Sequence, residues 1–246
     1  MSPVVLLVLG CGTEAPLLPD PDTTIVEESL AATWPDALVE LVERTGAYAT
    51  LDENCPMVDV DEAVDETGIA ESWIGGCALP DGRSIDGTLR RFTGDEGAWI
   101  AAEDFAVRHN GELDLELRGS IELYEENDLL NIEVAGSLCG GPTWSCEDGP
   151  VMLDLTYSVY PASNFPHVYD ATVSGVVAAD GAAPISVEGV WSIDDTACSS
   201  EPASGTIALR RSERQALELD GQTMCDGCAD WVVQGVDVGP FCGLGR

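Results

Sequence analysis

Cys225 and Cys228, in the run Cys225-Asp226-Gly227-Cys228, have the one cysteine spacing in this chain that carries a chemistry of its own. Such a pair can supply half of a zinc site or a redox dithiol. A structural zinc site takes four ligands, usually as two close pairs. The second pair is missing here, and the only histidines, His109 and His167, are remote in sequence. A redox dithiol normally opens a helix after a strand. The flanking segments Leu217-Glu218-Leu219 and Trp231-Val232-Val233 instead read as strands on both sides, so neither chemistry is favoured. Nucleophile chemistry fares no better. The sequence contains no Gly-x-Ser-x-Gly elbow, no Asp-Thr-Gly and no His-Glu-x-x-His. His109 precedes Asn110-Gly111, a tight-turn signature, and reads as a solvated turn residue. His167, after Pro166, reads as a strand-start residue.

Carboxylates are abundant, with 45 Asp and Glu against 10 cations, all of them Arg. A pair of acids could hydrolyse glycosides, but the sequence selects no pair. For calcium the densest stretch runs Asp59, Asp61, Glu62, Asp65, Glu66 and then Gly68. It lacks the EF-hand order, because Ala63 falls at a ligand position and Val64 where glycine is needed. Asp59, Asp61 and Asp65 are nevertheless the candidate calcium ligands, against the plainer reading of a polar hairpin tip between Cys55 and Cys77. No other cofactor is implied. The formal net charge of -35 repels phosphates and anionic head groups, which excludes nucleic acid as a partner.

Near the N-terminus the run Pro3-Val4-Val5-Leu6-Leu7-Val8-Leu9 leads into Gly10-Cys11-Gly12. An apolar run ending in a small residue and then cysteine resembles the bacterial lipobox. No Lys or Arg precedes the run, and Leu9 stands where that motif commonly has a smaller residue. The resemblance implies that residues 1–10 are a signal-like leader, that Cys11 becomes the acylated N-terminus, and that the lipid bilayer is a partner through that cysteine. Gly12, in place of the Asp that retains enteric lipoproteins at the inner membrane, leans the implied location toward the outer membrane or cell surface of a bacterial envelope. Residues 11–24 carry Pro16, Pro19, Pro21, Asp20 and Asp22, a composition suited to an extended tether.

With Cys11 assigned to lipid, eight cysteines remain: Cys55, Cys77, Cys139, Cys146, Cys198, Cys225, Cys228 and Cys242. An even set in an exported domain reads as four disulfides, although 105 connectivities are open. Local loops are preferred: Cys55 with Cys77, Cys139 with Cys146, Cys198 with one of Cys225 and Cys228, and Cys242 with the other.

Residues 25–246 then form a single β domain. One helix is evident. Thr33 can cap it, Pro35 and Asp36 suit its first turn, Leu38, Leu41 and Val42 follow helical spacing, and Gly46 can end it. Thereafter strands dominate. Leu113, Leu115, Leu117, Ile121 and Leu123 alternate with acids, giving period two and one wet face. A similar run holds Leu130, Ile132 and Val134, after a turn at Glu125-Glu126-Asn127-Asp128. Asp180-Gly181 reads as another hairpin turn. About a dozen strands with short connections predict an antiparallel meander, because parallel strands need long crossovers. Echoes between Trp73 and Trp191, and between Gly87-Thr88 and Gly205-Thr206, raise a duplicated β unit as an alternative to chance. Mid-strand Gly119 and Gly136 favour curling, so the expected fold is mainly β: a curled sheet, half-barrel or sandwich with one N-terminal helix. In outline this is similar to lipocalins and periplasmic lipoprotein carriers, with no motif of either. Trp73, Trp99, Trp191 and Trp231 fall within strands and are expected in the core, whereas Trp144 is expected exposed.

The sequence therefore points to a non-enzymatic envelope lipoprotein that serves as a structural, interaction or ligand-binding module with a protein or small-ligand partner. The alternatives are an exported carboxylate-dependent hydrolase and a Ca-dependent adhesion module.

Overall fold

Apolar residues spaced two apart make strands that bury one face, and the chain carries this pattern repeatedly after its helix. In the computed structural model it produces a 14-stranded antiparallel sheet. The structure describes residues 34–48, 54–61, 68–94, 97–140, 146–179, 183–198, 204–210, 214–219, 225 and 228–242. The leader, Cys11, the tether, Thr33, Asp65, Trp144 and Asp180-Gly181 lie outside them.

Helix α1 (Pro35–Tyr48) comes first, followed by β1 (Met57–Asp61), β2 (Gly68–Ile74), β3 (Cys77–Ala78), β4 (Arg83–Gly94) and β5 (Gly97–His109). Then come β6 (Glu112–Glu126), β7 (Leu129–Gly140), β8 (Val151–Tyr160), β9 (Val168–Ala179) and β10 (Ile185–Asp194). The last four are β11 (Ser204–Arg210), β12 (Arg214–Leu219), β13 (Cys228–Val233) and β14 (Val236–Cys242). Apart from β3, which pairs only with β4, strands neighbour one another in chain order from β1 to β14. This is the meander that short connections predict. The sheet is not closed: β1 and β14 are its two ends. Of the expected forms, a single curled sheet is the one found.

Local chemistry explains the hairpins. Asn110-Gly111 and Asn127-Asp128 each have two consecutive positive φ angles, 54° and 90° in the first and 54° and 65° in the second. That is the signature of two-residue turns whose twist matches the flanking strands. The curl has a backbone cause. Gly119 of β6 pairs with Gly136 of β7. A Cβ on Gly119, whose φ is +108°, would sit 2.1 Å from the Ala135 carbonyl oxygen. The two backbones approach so closely that no side chain fits between them, and the sheet bends there. The register slips on β5 between Ala102 and Phe105, a bulge that adds bend and twist.

One hydrophobic cluster joins Trp73 of β2 to Phe241 of β14 through the inner face of the strands between. Helix α1 packs on that face. Leu38, Leu41 and Val42 are buried, while Glu40 and Glu43 face water. Each buried aliphatic contributes roughly 1.5–3 kcal/mol. Trp34, just before the helix, meets Trp191 of β10 edge to face, with ring centroids 5.7 Å apart. The helix runs two residues past Gly46 to Tyr48. Thr45, buried near its end, donates its hydroxyl to the Val42 carbonyl at 2.7 Å, so that hydroxyl is satisfied.

Candidate binding face

The inner face is not uniformly covered. One row of cross-strand partners runs from the β1 edge inward as Val60, Glu71, Arg91, Ile100 and Ile121. Exposure falls along it, from 50% at Val60 to none at Ile100 and Ile121. In the neighbouring row Ile69, 58% exposed, pairs with Thr93. The inner surface of β1, β2 and β4 is therefore open to water at this one end, where Val60 and Ile69 form a small apolar wall.

Into that wall is set a charged pair. Glu71 and Arg91 lie directly opposite on β2 and β4, on the same face as the buried Trp73 and Leu89. Arg91 Nη1 stands 3.9 Å from Glu71 Oε2, and both side chains are 25% exposed. The same carboxylate oxygen accepts a 3.3 Å hydrogen bond from Trp73 Nε1. Arg91 Nε is fully buried and makes no hydrogen bond. A guanidinium donor held out of water without an acceptor is costly, and the 3.9 Å ion pair does not satisfy it. This pair is visible only with the structure in hand. In the sequence Arg91 is one of two adjacent arginines and Glu71 one of many acids, and nothing marks them as neighbours 20 residues apart.

Further along the inner face, Tyr157 of β8 and Tyr169 of β9 are buried near the start of the helix. Burial, joined by the nearby Asp36 carboxylate, pushes the Tyr157 phenol far above its ordinary value. Trp191 Nε1 is buried there without a hydrogen bond.

The outer face corrects one expectation. Trp99 is not in the core. The register shift on β5 comes after it, and its cross-strand partner Phe92 and diagonal neighbour Arg90 are both on the outer surface. Trp99 is half-buried against Phe92, with ring centroids 6.1 Å apart and planes 14° apart, and Arg90 lies 5.9 Å from its ring centroid. Trp73, Trp191 and Trp231 are buried. Nearby, Tyr124 donates its hydroxyl to Glu133 at 3.0 Å, which raises the phenol's pKa.

Eight cysteines fall into four pairs at disulfide distance: Cys55–Cys77, Cys139–Cys146, Cys198–Cys225 and Cys228–Cys242. Their Cα separations of 5.8, 4.9, 5.6 and 4.0 Å suit, or in the last case closely approach, the usual range. Cys225 and Cys228 thus have separate sulfur partners rather than a shared metal. Of the calcium candidates, Asp59 is exposed on β1 and Asp61 ends that strand. Among the described residues no three His, Cys, Asp or Glu side chains converge as a metal site. His109 ends β5 beside its turn. His167 precedes β9 and pairs through Nδ1 with Asp195 Oδ2 at 2.8 Å, its side chain 76% exposed. Among the described residues no nucleophile hydrogen-bonds to its other nitrogen. Two carboxyls, Asp81 and Asp194, are held below the usual carboxylate range, by hydrogen bonds from Arg83 and from Thr196 respectively. Both accept from the backbone and side chain of local turns. No helix among the described residues is long and apolar enough to cross a membrane.

No protein-family model, characterised protein or solved structure matches this chain.

Proposed function

We propose that the protein is an exported envelope lipoprotein, held at the bilayer through acylated Cys11, whose curled sheet binds a ligand or partner without performing chemistry. The observation that carries this reading is the sulfur accounting. All eight cysteines beyond Cys11 find partners inside the β domain. Four such bridges persist only in an oxidising compartment, and the cysteine left over is the one at the end of the apolar leader. The open inner wall of β1, β2 and β4, with a charged pair set in it, supplies a place for a ligand.

Intact-mass measurement on native protein tests the reading. The expected molecule lacks residues 1–10, carries acyl chains on Cys11, and is lighter by two hydrogens for each of four bridges. A Cys11→Ser variant should leave the membrane fraction. A native chain retaining Met1, with free thiols throughout, overturns the proposal.

A further inference from the structure

We propose that the Glu71–Arg91 pair receives the head group of a zwitterionic amphiphile, one bearing an anionic oxygen group and an ammonium, whose tail lies on the open inner wall. This deepens the proposed function and rests on its claim that the sheet binds a ligand. Four observations converge. Arg91 Nε is buried and lacks an acceptor, so the guanidinium is incompletely satisfied, and its exposed part can take the oxygens of a phosphate or carboxylate. Its pairing with Glu71 is loose, at 3.9 Å, and both side chains remain a quarter exposed, so an incoming head group reaches them. Glu71 is steadied by Trp73 Nε1 and can accept from an ammonium. Around the pair, Val60 and Ile69 are 50% and 58% exposed, an apolar surface without a described partner.

Charge decides between ligand classes. A net anion must enter the field of a chain with formal charge -35, which disfavours it. A net cation would meet Arg91. A zwitterion carries no net charge and matches the side-by-side positive and negative groups on the wall. A free head group would satisfy the pair but leave Val60 and Ile69 wet, so the apolar surface selects an amphiphile.

The test uses the full chain carrying Cys11→Ser, so that no acyl chain competes. Trp fluorescence is followed on titration with short-chain phosphatidylethanolamine below its micelle concentration. Parallel titrations use free phosphoethanolamine and short-chain phosphatidylglycerol. Saturable binding of the zwitterionic amphiphile is expected, at least tenfold tighter than either comparator. Arg91→Gln should weaken it at least tenfold, with Arg91→Lys partly restoring it. Glu71→Gln should narrow or reverse the preference over phosphatidylglycerol, a change that a merely structural role would not produce. Ile69→Asn should weaken the amphiphile and leave phosphoethanolamine unchanged. Thermal melts confirm that each variant is folded. Absent binding, equal binding of the free head group, or preference for the anionic lipid overturns the proposal. The anchoring half of the functional reading is decided separately by intact mass and fractionation, so either can fail alone.

Discussion

Strands β4 to β10 run ten to fifteen residues, whereas β1 to β3 and β11 to β14 run two to seven. The two regions are held by different means. In the middle, long strands stack buried rows against one another and against α1, with Trp34 seated on Trp191. At the flanks three of the four bridges are found: Cys55–Cys77 ties the entry to β1 onto β3, Cys198–Cys225 links the connections around β11 and β12, and Cys228–Cys242 joins β13 to β14. An open sheet has two edge strands with neighbours on one side only, and short edge strands bury little. Covalent staples supply there what packing supplies in the middle. The flank that stays partly uncovered on its inner face carries Glu71, which faces Arg91 on β4, the first of the long strands.

The largest expected effect lies in the middle. Trp191→Ala should cost about 3–5 kcal/mol, the range for removing a large buried aromatic, read as a lower midpoint in urea denaturation. Trp191→Phe should cost less, because it also removes an indole N–H buried without an acceptor. If the alanine variant loses under about 1 kcal/mol, the middle of the sheet is not held by packing and the contrast collapses.

Next comes the stapled flank. The double variant Cys55→Ser, Cys77→Ser opens a loop of sequence separation 22 and should cost about 2–4 kcal/mol. Native-state hydrogen exchange sharpens the prediction: amides of β1 to β3 should lose protection while those of β6 to β9 keep theirs. Uniform loss across the sheet would mean that the flank and middle unfold as one unit.

The sequence makes the middle readable and the flank's function not. Period-two alternation in β6 and β7 dictates their faces, and Asn110-Gly111 and Asn127-Asp128 dictate the turns between strands. Local cysteine spacing led to Cys55–Cys77 and Cys139–Cys146, because a meander brings nearby cysteines together, but left open which of Cys225 and Cys228 joins Cys198; the structure puts Cys225 beside Cys198 and Cys228 beside Cys242. Trp99 misled because a tryptophan within a strand is usually inward. Its face follows from the register of β4 on β5, where Phe92 opposes it, and a bulge two residues past Ala101 shifts the alternation that sequence would extrapolate. Glu71 and Arg91 were invisible for a related reason. Which acid faces which arginine is a property of pairing between strands, and both residues interrupt an otherwise apolar inner row, so periodicity alone reads them as solvated.

A third prediction returns to the middle through pH. The unfolded chain ionises Tyr157 near its ordinary value of 10, whereas the folded chain keeps it protonated well above that. Its contribution is fully present below pH 10 and is lost as pH rises from there toward the folded value. The loss amounts to about 1.4 kcal/mol per pH unit while only the unfolded state is ionised. Tyr157→Phe should therefore flatten the fall in stability above about pH 10 by that slope. Equal slopes for the wild type and the variant would place the Tyr157 hydroxyl in contact with water.

The smallest effect belongs to the open wall. Ile69 is 58% exposed, so Ile69→Ala removes methylenes that already touch water and leaves no sealed cavity behind. The transfer term for a residue less than half buried is under about 1 kcal/mol, and the cavity term that makes central truncations expensive is missing. Urea denaturation should show a midpoint nearly unchanged, in contrast to Trp191→Ala. A loss above about 2 kcal/mol would mean that Ile69 is covered in the native protein, by another part of this chain or by a bound molecule. Repeating the measurement on protein denatured, stripped of small molecules and refolded separates those two: a covering segment of the chain returns with refolding and keeps the cost high, whereas a lost ligand leaves it low.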